Sequence, residues 1–423
     1  MKRIWPIFWV SLALFLVVRT GVRDRGVITN HIETGRRLLA AEDLNTGFDN
    51  SALNAPYPPG FGLLWAPFTL LPERIARFAW GALQVIALWV IALWLRQMLG
   101  AVAATLRRHL HLLLLLTMVL TLRFILRDTH GGGTNLVNIG MTLGALLLAG
   151  RGHGTAAGIL LGFSIATKPT QFLIVGLLWL FGHRRAAIAS ILAAISFTAL
   201  ALLINRHGLS PLTTWLQGSW AYAGQENLFA SPSHGFPPFT WMNQCLRCSV
   251  VRWFGEVPPE YATQVPFFTQ GLGLTHATTA AMSRTLGLAL VTVTAWVAWR
   301  RRSQPVAQPA IYAAALALSL LLSPISWKAH HVALIPALFL MLCHGLRKNH
   351  WVWLFIAAYV PLCLTGEEIL ILFAGDAESG KSFKQLQQSL YLVTAGTFVL
   401  WAFCLSRGGQ RTESALASDA GGR

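Results

Sequence analysis

Long apolar runs alternate with short polar gaps along almost the whole chain, from Ile4 to Leu405. Arginine and lysine residues fill every second gap. The gaps between them hold the unusual polar clusters, at 24–33, 57–59, 127–135, 168–169, 243–244 and 323–331. Because loops rich in Arg and Lys face the cytoplasm, this alternation predicts that the polar clusters meet at the opposite face of a membrane. A membrane-embedded enzyme whose active site opens outward is the simplest interpretation.

The apolar runs predict an all-α polytopic membrane protein with about twelve spans, because a spanning helix needs about 20 apolar residues. We place the spans at 4–22, 78–96, 109–126, 136–150, 155–167, 170–182, 186–205, 285–299, 308–323, 331–346, 351–366 and 388–406. Several of these runs are too short to cross alone, and broken helices at membrane depth persist only inside protein or beside a wet cavity. Both termini are expected in the cytoplasm of a protein of the bacterial inner membrane.

The pattern indicates one transmembrane domain over residues 1–406, followed by a disordered cytoplasmic tail at 407–423 that is rich in Gly, Ser and Ala. Two long outer loops cover about 23–77 and 206–284. The first ends in an apolar, proline-bounded stretch at 61–71, which predicts an interfacial helix. The second is rich in aromatic residues, which suit a membrane interface or a sugar face. The run at 4–18 is expected to be an uncleaved first helix.

The composition supports a membrane protein and argues against nucleic-acid binding. Hydrophobic residues make up 54% of the 423 residues and charged residues 12%, whereas soluble domains carry roughly a quarter charged residues. The net charge of +17 comes from short basic pairs beside apolar runs, so membrane topology and anionic lipids explain it better than nucleic acid does.

Two short motifs resemble known functional patterns, but each also has a simpler explanation. Cys245 and Cys248 form a lone CxxC, for which a disulfide and two free thiols both stay open, and a metal site would need two more ligands. Residues 375–382 match the Walker A pattern, but the sequence around them lacks the strand, loop and helix that such a nucleotide site requires. We interpret this match as a coincidental turn.

The polar clusters supply candidate groups for proton transfer and for binding an anion. Asp24 directly follows the first span, where a carboxylate can take the proton from an acceptor hydroxyl, and Glu33 is its rival. Lys168, together with Arg123 and Arg127, can hold a phosphate leaving group by charge, although headgroup snorkelling also explains such cations. The adjacent histidines at 330 and 331 point about 100° apart on a helix, so we expect one to face the cavity and the other to pack.

Several of these segments resemble glycosyltransferase family 87. The stretch from Tyr57 to Pro72 resembles the family's Tyr-Pro-Pro segment. The remaining matches follow in the family's order over about residues 20–345: Gly-Thr-Asn135 near Gly-Gln-Val-Asn, Lys168-Pro169 as its Lys-Pro step, Asn243-Gln244 as its Asn-Gln-Ser-Leu, and Ser323 to Trp327 with His330 and His331 as its Ser-Pro-Ile-Ser-Trp and histidine.

The resemblance implies the GT-C fold and inverting transfer of a hexose, mostly mannose, from a polyprenyl-phosphate donor, with no cofactor and no metal. The acceptor would be a lipid-linked or glycan hydroxyl reached from outside, and a carboxylate in the first outer loop would be the base. Asp24 lies farther from Gly35-Arg36 than the family's aspartate does, so the choice between Asp24 and Glu33 stays open. The expected substrate-binding residues are Tyr57, Arg123, Arg127, Asn135, Lys168, Asn243, Gln244, Trp327, His330 and His331.

A transporter or flippase of a lipid-linked or anionic substrate is the alternative function, because broken helices and charges within the membrane fit that class as well. Against it, the sequence contains no evident inverted repeat. The polar clusters also fall in the gaps of one face alone, and the outer loops are long while the inner ones are short.

Overall fold

The computed structural model describes residues 4–23, 26–44, 57–102, 104–230, 238–345, 359, 362 and 377–407. This part of the chain is helical, and its one β-type pairing is an isolated bridge between Gly255 and Leu274. The prediction of an all-α protein is therefore confirmed for the described residues.

The helices are α1 (Ile4–Gly21), α2 (Ile28–Leu39), α3 (Phe61–Trp65), α4 (Glu73–Val102), α5 (Leu110–Gly131), α6 (Asn135–Gly150), α7 (Gly154–Thr167), α8 (Leu173–Leu180), α9 (Arg184–Asn205), α10 (Ser210–Gly224), α11 (Leu246–Phe254), α12 (Pro259–Ala262), α13 (His276–Arg300), α14 (Gln308–Leu322), α15 (Ile335–Gly345), α16 (Ala377–Ser389) and α17 (Leu392–Arg407). Short 3-10 segments lie at Ala66–Leu70, Ala104–His109, Pro169–Gln171 and Lys328–Leu334.

Within these ranges, five helices are long and apolar enough to cross a membrane, namely α1, α4, α5, α9 and α13. The part of α16 from Ser382 to Ser389 and the whole of α17 form a pair bent by 44°, which makes a sixth crossing if the pair acts as one span. The predicted count of twelve is not reached, because several apolar runs give helices of 16 residues or fewer, such as α6 and α7. The predicted span at 351–366 lies outside the described residues except for two positions.

Two further boundaries differ from the prediction. Residues 328–334 form a 3-10 segment, so the helix expected from 331 begins at Ile335. At the other boundary, α13 begins at His276, nine residues before the predicted start, because Thr275 caps it through its side chain. The expected helix at 61–71 is present as α3 with the 3-10 segment that follows it.

The helices run between two ends of the molecule that differ in character. At one end, which we call the polar end, Val27 N donates to Gly131 O at 2.8 Å and Thr29 Oγ1 donates to Glu73 Oε1 at 2.9 Å. These contacts join the start of α2 to the end of α5 and the start of α4. The opposite end, which we call the basic end, carries Arg96, Arg107, Arg108, Arg151, Arg184, Arg185 and Arg300 to Arg302. The alternation along the sequence thus corresponds to two ends of the fold.

Helix α14 is the centre of the packing. All of its residues from Ala310 to Leu321 are buried, and the five alanines among them allow neighbouring helices to approach closely. The helix ends at Leu322, so the segment 323–331 that follows it lies at the polar end.

Part of the segment that was predicted as the second outer loop has a small core of its own. Phe239, Trp241 and Tyr391 are buried there with Cys245 and Cys248. Both cysteines are free thiols, and Cys248 N donates to Cys245 Sγ at 3.3 Å. Several aromatic side chains of this loop therefore pack against the thiols and the start of α17.

Helices α7 and α9 approach each other through small residues. A Cβ on Gly158 would lie 2.7 Å from Ala186 O, and a Cβ on Gly162 would lie 2.6 Å from Ser190 O. Real Cβ atoms do not come so close to a carbonyl oxygen. The glycines thus allow a backbone approach that no other residue permits.

We expect Gly158→Ala to lower the thermal stability of the purified protein, because the added methyl group forces α7 away from α9; overpacking of this kind costs about 1–3 kcal/mol. Gly176→Ala on α8 is the matched control, because a Cβ there meets no atom within 4 Å. The measurement is thermal unfolding in detergent. Equal melting temperatures for the two variants would contradict this packing.

Candidate functional site

A glycine turn connects α5 to α6 at the polar end and folds Asp128 over the start of α6. Gly132 has φ +71°, the left-handed conformation that suits glycine. A Cβ on Gly133 would overlap the Asp128 carboxylate. The sequence Gly131-Gly132-Gly133 is therefore what allows this carboxylate to reach α6.

Asp128 is fully buried and accepts two hydrogen bonds from the first turn of α6. Its Oδ1 accepts from Asn135 Nδ2 at 2.7 Å, and its Oδ2 accepts from Leu136 N at 2.8 Å. A carboxylate is stabilised at a helix N-terminus, where backbone N–H groups lack other partners. Asp128 was not among the residues predicted from the sequence, although a carboxylate inside an apolar run is itself a signal, because such a charge is costly within a membrane.

Asn135 links this carboxylate to Lys168. Lys168 Nζ donates to Asn135 Oδ1, so one side-chain amide contacts the carboxylate with its NH₂ group and the ammonium with its oxygen. Lys168 is 7% exposed. Two buried charges of opposite sign are thus joined through an amide, which offsets part of the cost of removing each from water.

The break before Pro169 aims Lys168 away from its helix. Lys168 has the extended conformation that precedes proline, with φ −158° and ψ 103°. Asn138 Nδ2 donates to Ser164 Oγ at 2.7 Å and to Lys168 O at 3.5 Å, which fixes the last turn of α7. The predicted break is therefore built by the proline and held by buried amides.

Aromatic rings cover the other side of Lys168. Its Nζ lies 5.6 Å from the ring centroid of Tyr57, within the range of a cation–π contact. Tyr57 stacks on Phe61 with centroids 4.0 Å apart, and the His31 ring lies 5.7 Å from Tyr57. Burial, with the positive charge of Lys168 as the second cause, lowers the pKa of His31 to about 3, so this ring is neutral at physiological pH.

Gly60 allows the segment that carries Tyr57 to pack closely against the end of α7. A Cβ at this position would lie 2.5 Å from Ala166 O, two residues before Lys168. The Tyr57-Pro58-Pro59-Gly60 turn therefore packs directly on the end of α7, and this contact brings Tyr57 to Lys168.

The two adjacent histidines have different surroundings. Trp327 N donates to His330 Nδ1 at 3.1 Å, which leaves Nε2 as the protonated nitrogen of a neutral His330 ring. His331 Nδ1 lies 2.9 Å from Trp327 O and donates to it, because a carbonyl only accepts. The His331 ring packs on Phe124 with centroids 5.4 Å apart. His330 lines the same pocket as Asn135, the residue that accepts the hydrogen bond from Lys168.

A polar pocket lies beside this cluster. Its polar lining includes Asn135, Asn138, Gln171, Ser323 and His330. Gln171 is 4% exposed, and its Oε1 has no hydrogen-bond partner in the described part of the chain. Gln171, which lies two residues after Pro169, was not among the residues predicted from the sequence. A buried amide and an imidazole thus line this pocket together with Asn135, which holds the Lys168 ammonium.

Asn243 and Gln244 hold the segment that carries the histidines. Asn243 Oδ1 accepts from Ser326 N at 2.8 Å, and its Nδ2 donates to Pro324 O at 2.9 Å. Gln244 N donates to Ser326 O at 2.9 Å, and its side chain donates to Gln388 O at 3.0 Å. Both residues are buried. The structure brings these side chains to the backbone of 324–326 and not to the lining of the pocket.

The predicted arginines and Trp327 lie at the margin of the cluster or outside it. Arg123 donates to Leu362 O and lies 5.1 Å from the Phe124 ring centroid. Arg127 is exposed, about 100° around α5 from Asp128. Trp327 is 37% exposed.

Of the two candidate bases, the structure describes Glu33 but not Asp24. Asp24 lies outside the described residues, but Val27, three residues later, bonds to Gly131. Glu33 accepts from Arg36 with one carboxylate oxygen and from Arg37 Nε at 3.2 Å with the other. Both oxygens of Glu33 are therefore engaged in ion pairs within α2.

The Walker-like segment lacks the required backbone. Ala377–Ser389 is one helix, so Gly380, Lys381 and Ser382 lie within its turns, and the described residues contain no strand before them. We expect Lys381→Ala to leave catalytic activity within about twofold, because a helix cannot direct several backbone N–H groups at one phosphate in the manner of a P-loop. A hundredfold loss in the same assay would contradict this interpretation.

Within the described ranges, no group of three or more metal-ligating side chains is present.

The sequence of this chain matches a known protein family and a known relative. The profile of glycosyltransferase family 87 matches residues 56–324, more than half of the chain. A relative in Mycolicibacterium smegmatis is 25% identical over 362 residues, which cover 84% of this chain and 77% of the relative. That protein is a polyprenol-phosphate-mannose-dependent alpha-(1-2)-phosphatidylinositol pentamannoside mannosyltransferase. No solved structure matches the chain.

Proposed function

The chain belongs to glycosyltransferase family 87, and from that premise we propose that this membrane glycosyltransferase moves a hexose, in particular mannose, from a polyprenyl-phosphate donor to a hydroxyl group of a lipid-linked glycan, with inversion. The donor and the lipid-linked acceptor follow the relative from Mycolicibacterium smegmatis. The observation that carries the proposal is the buried Lys168 ammonium, which donates to Asn135 at the edge of a polar pocket that His330 also lines, at one end of the helix bundle.

Phosphate is the leaving group that this arrangement suits. The ammonium of Lys168 offsets the negative charge that develops on the departing phosphate, and His330 Nε2–H can donate a hydrogen bond to one of its oxygens. Both groups are held before the donor arrives, Lys168 by Asn135 and His330 by the backbone of Trp327. A preorganised pair of donors does not have to reorient as the charge develops.

Asp128 and Asn135 position the lysine in this mechanism. Both Asp128 oxygens already accept hydrogen bonds from the first turn of α6, so this carboxylate suits electrostatic support of Lys168 better than proton abstraction. Asn243 and Gln244 act one step farther away, because they fix the backbone from which His330 projects.

The base in this proposal is Asp24. The rival Glu33 has both oxygens in ion pairs, which leaves no oxygen free for an acceptor hydroxyl. Gly26, two residues after Asp24, packs on Gly131, and Gly131 lies three residues from Asp128. Chain connectivity thus favours a carboxylate at position 24 near the polar end.

We place the polar end outside the cytoplasm and regard the fold as GT-C-like, with the short helices α6, α7 and α8 contributing to crossings beyond the long ones. The basic end then follows the positive-inside rule. A cysteine introduced at position 184, at the basic end, should resist a membrane-impermeant thiol reagent in intact cells. Labelling from outside would reverse the proposed orientation.

The experiment that tests the function offers membranes containing the overproduced protein a panel of radiolabelled polyprenyl-phosphosugars. We expect mannose to be transferred to a lipid-extractable acceptor, at a rate well above that of membranes without the protein. Transfer of another hexose would correct the sugar, and no transfer from any member of the panel would contradict the donor class.

A further inference from the structure

A wide cleft opens at the basic end, at the opposite ends of α5 and α6 from Lys168 and His330. It lies between the end of α4, the start of α5 and the end of α6, with a volume of about 1020 Å³. Its polar lining consists of Arg96, Gln97, Arg107, His111 and Arg151. Three guanidinium groups from three separate elements therefore line one concavity.

These arginines have no anionic partner in the described part of the chain. The ion pairs found there join Glu33 to Arg36 and Arg37 and Glu73 to Arg77, all at the polar end. Helices α4 and α5 each carry a single acidic residue, Glu73 and Asp128, and both lie at the polar end. The cleft thus carries an uncompensated positive charge.

An apolar groove continues from this cleft. It runs between α1, α4 and α5 with a volume of about 640 Å³, and it shares Leu93, Arg96, Leu110 and His111 with the cleft. The groove extends along α5 as far as Ile125. The helix from Leu110 to Ile125 rises about 22 Å, more than the thickness of one leaflet of a hydrocarbon core about 30 Å thick.

Two tryptophans fix the mouth of the groove. Trp9 Nε1 donates to His111 Nδ1 at 3.4 Å, and the Trp5 ring stacks on His111 with centroids 5.2 Å apart. Tryptophan is enriched at the level of lipid headgroups. The junction of cleft and groove therefore lies where the headgroup of a lipid meets its acyl chains.

We propose that the cleft and the groove bind an anionic diacyl phospholipid of the leaflet at the basic end. Its phosphate lies between Arg96, Arg107 and Arg151, whose planar guanidinium groups can form paired hydrogen bonds with phosphate oxygens. Its acyl chains lie in the groove. This lipid is distinct from the sugar donor, because the phosphate of the donor is assigned to Lys168 at the other end of the molecule.

The test measures binding of phosphatidylglycerol to the delipidated full-length protein in nonionic detergent, with phosphatidylcholine as the neutral comparison. The cleft variant combines Arg96→Gln, Arg107→Gln and Arg151→Gln. The control variant combines Arg300→Gln, Arg301→Gln and Arg302→Gln, which remove the same charge from the basic end outside the cleft. We expect the cleft variant to bind phosphatidylglycerol at least tenfold more weakly than both the wild type and the control variant, with phosphatidylcholine binding unchanged.

Equal loss in the two variants would overturn the proposal, because it would mean that general charge attraction alone holds the lipid. Competition by polyprenyl phosphate at the same affinity would also overturn it, because the groove would then hold the tail of the donor. A phosphatidylglycerol with a photoactivatable acyl chain, applied to the wild type, tests the site without any variant. Cross-links on α1, α4 or α5, within residues 9–16 or 85–125, support the proposal, and cross-links confined to other helices contradict it.

Discussion

Replacing Asp24 with Asn should lower sugar transfer in a single turnover by about 10²- to 10⁴-fold, the range typical of general-base catalysis. The amide keeps the shape of the carboxylate and can still form hydrogen bonds, but it cannot accept the proton of the acceptor hydroxyl. Binding of the polyprenyl-phosphate donor should be retained, because the donor phosphate is assigned to Lys168 and His330. The measurement is transfer from a bound radiolabelled donor, normalised for the amount of folded protein.

Glu33→Gln is the matched control for this experiment. The Glu33 carboxylate is paired with Arg36 and Arg37 within α2, and an ion pair within one helix near the surface contributes about 1 kcal/mol or less. We therefore expect Glu33→Gln to change turnover by much less than Asp24→Asn does. The reverse order of the two variants would transfer the role of the base to Glu33.

Replacing Lys168 with Ala should weaken donor binding and reduce the rate of transfer by about 10²- to 10³-fold, the loss seen when one preorganised donor to a developing anion is removed. Both effects are expected because the ammonium attracts the phosphate in the ground state as well as in the transition state. Arg127→Ala removes a cation from the same end of the molecule, but Arg127 is exposed on another face of α5. We expect that variant to stay within about twofold of the wild type.

The folding role of Lys168 can be separated from its role in transfer. Lys168→Ala leaves the buried Asp128 carboxylate without its positive counterpart, and an uncompensated buried charge is strongly destabilising. Adding Asp128→Asn removes that charge and should restore the yield of folded protein. Transfer should stay low in the double variant. Recovery of transfer together with folding would show that Lys168 serves only to balance Asp128.

The sequence was sufficient to predict the polarity of the fold. The alternation of basic and polar gaps depends on charge alone, and the structure places Arg96, Arg107 and Arg151 at the opposite end from Lys168 and His330. The break before Pro169 and the divergence of His330 and His331 could also be predicted, because each follows from local backbone geometry. The number of crossings could not, because short apolar helices such as α6 satisfy hydropathy without the length of a span.

The sequence revealed only part of the polar cluster, because it indicated Asn135, Lys168 and His330 but not Asp128. Asp128 lies beside Arg127 in the chain, and only the turn through Gly131, Gly132 and Gly133 shows that the carboxylate folds back onto Asn135. Asn243 resembled a substrate-binding residue, yet its amide bonds to the backbone of a segment about 80 residues away. Such pairings are set by tertiary packing, which a single sequence does not contain.

The central claim is that this chain takes its sugar from a lipid phosphate at the polar end. The most direct test is transfer by the purified protein in proteoliposomes, with radiolabelled polyprenyl-phosphomannose and a nucleotide-linked mannose offered separately. The account predicts transfer from polyprenyl-phosphomannose alone, with a loss of at least a hundredfold in Lys168→Ala, in keeping with the contribution of one preorganised donor. Transfer from the nucleotide-linked sugar, or full activity in Lys168→Ala, would contradict it.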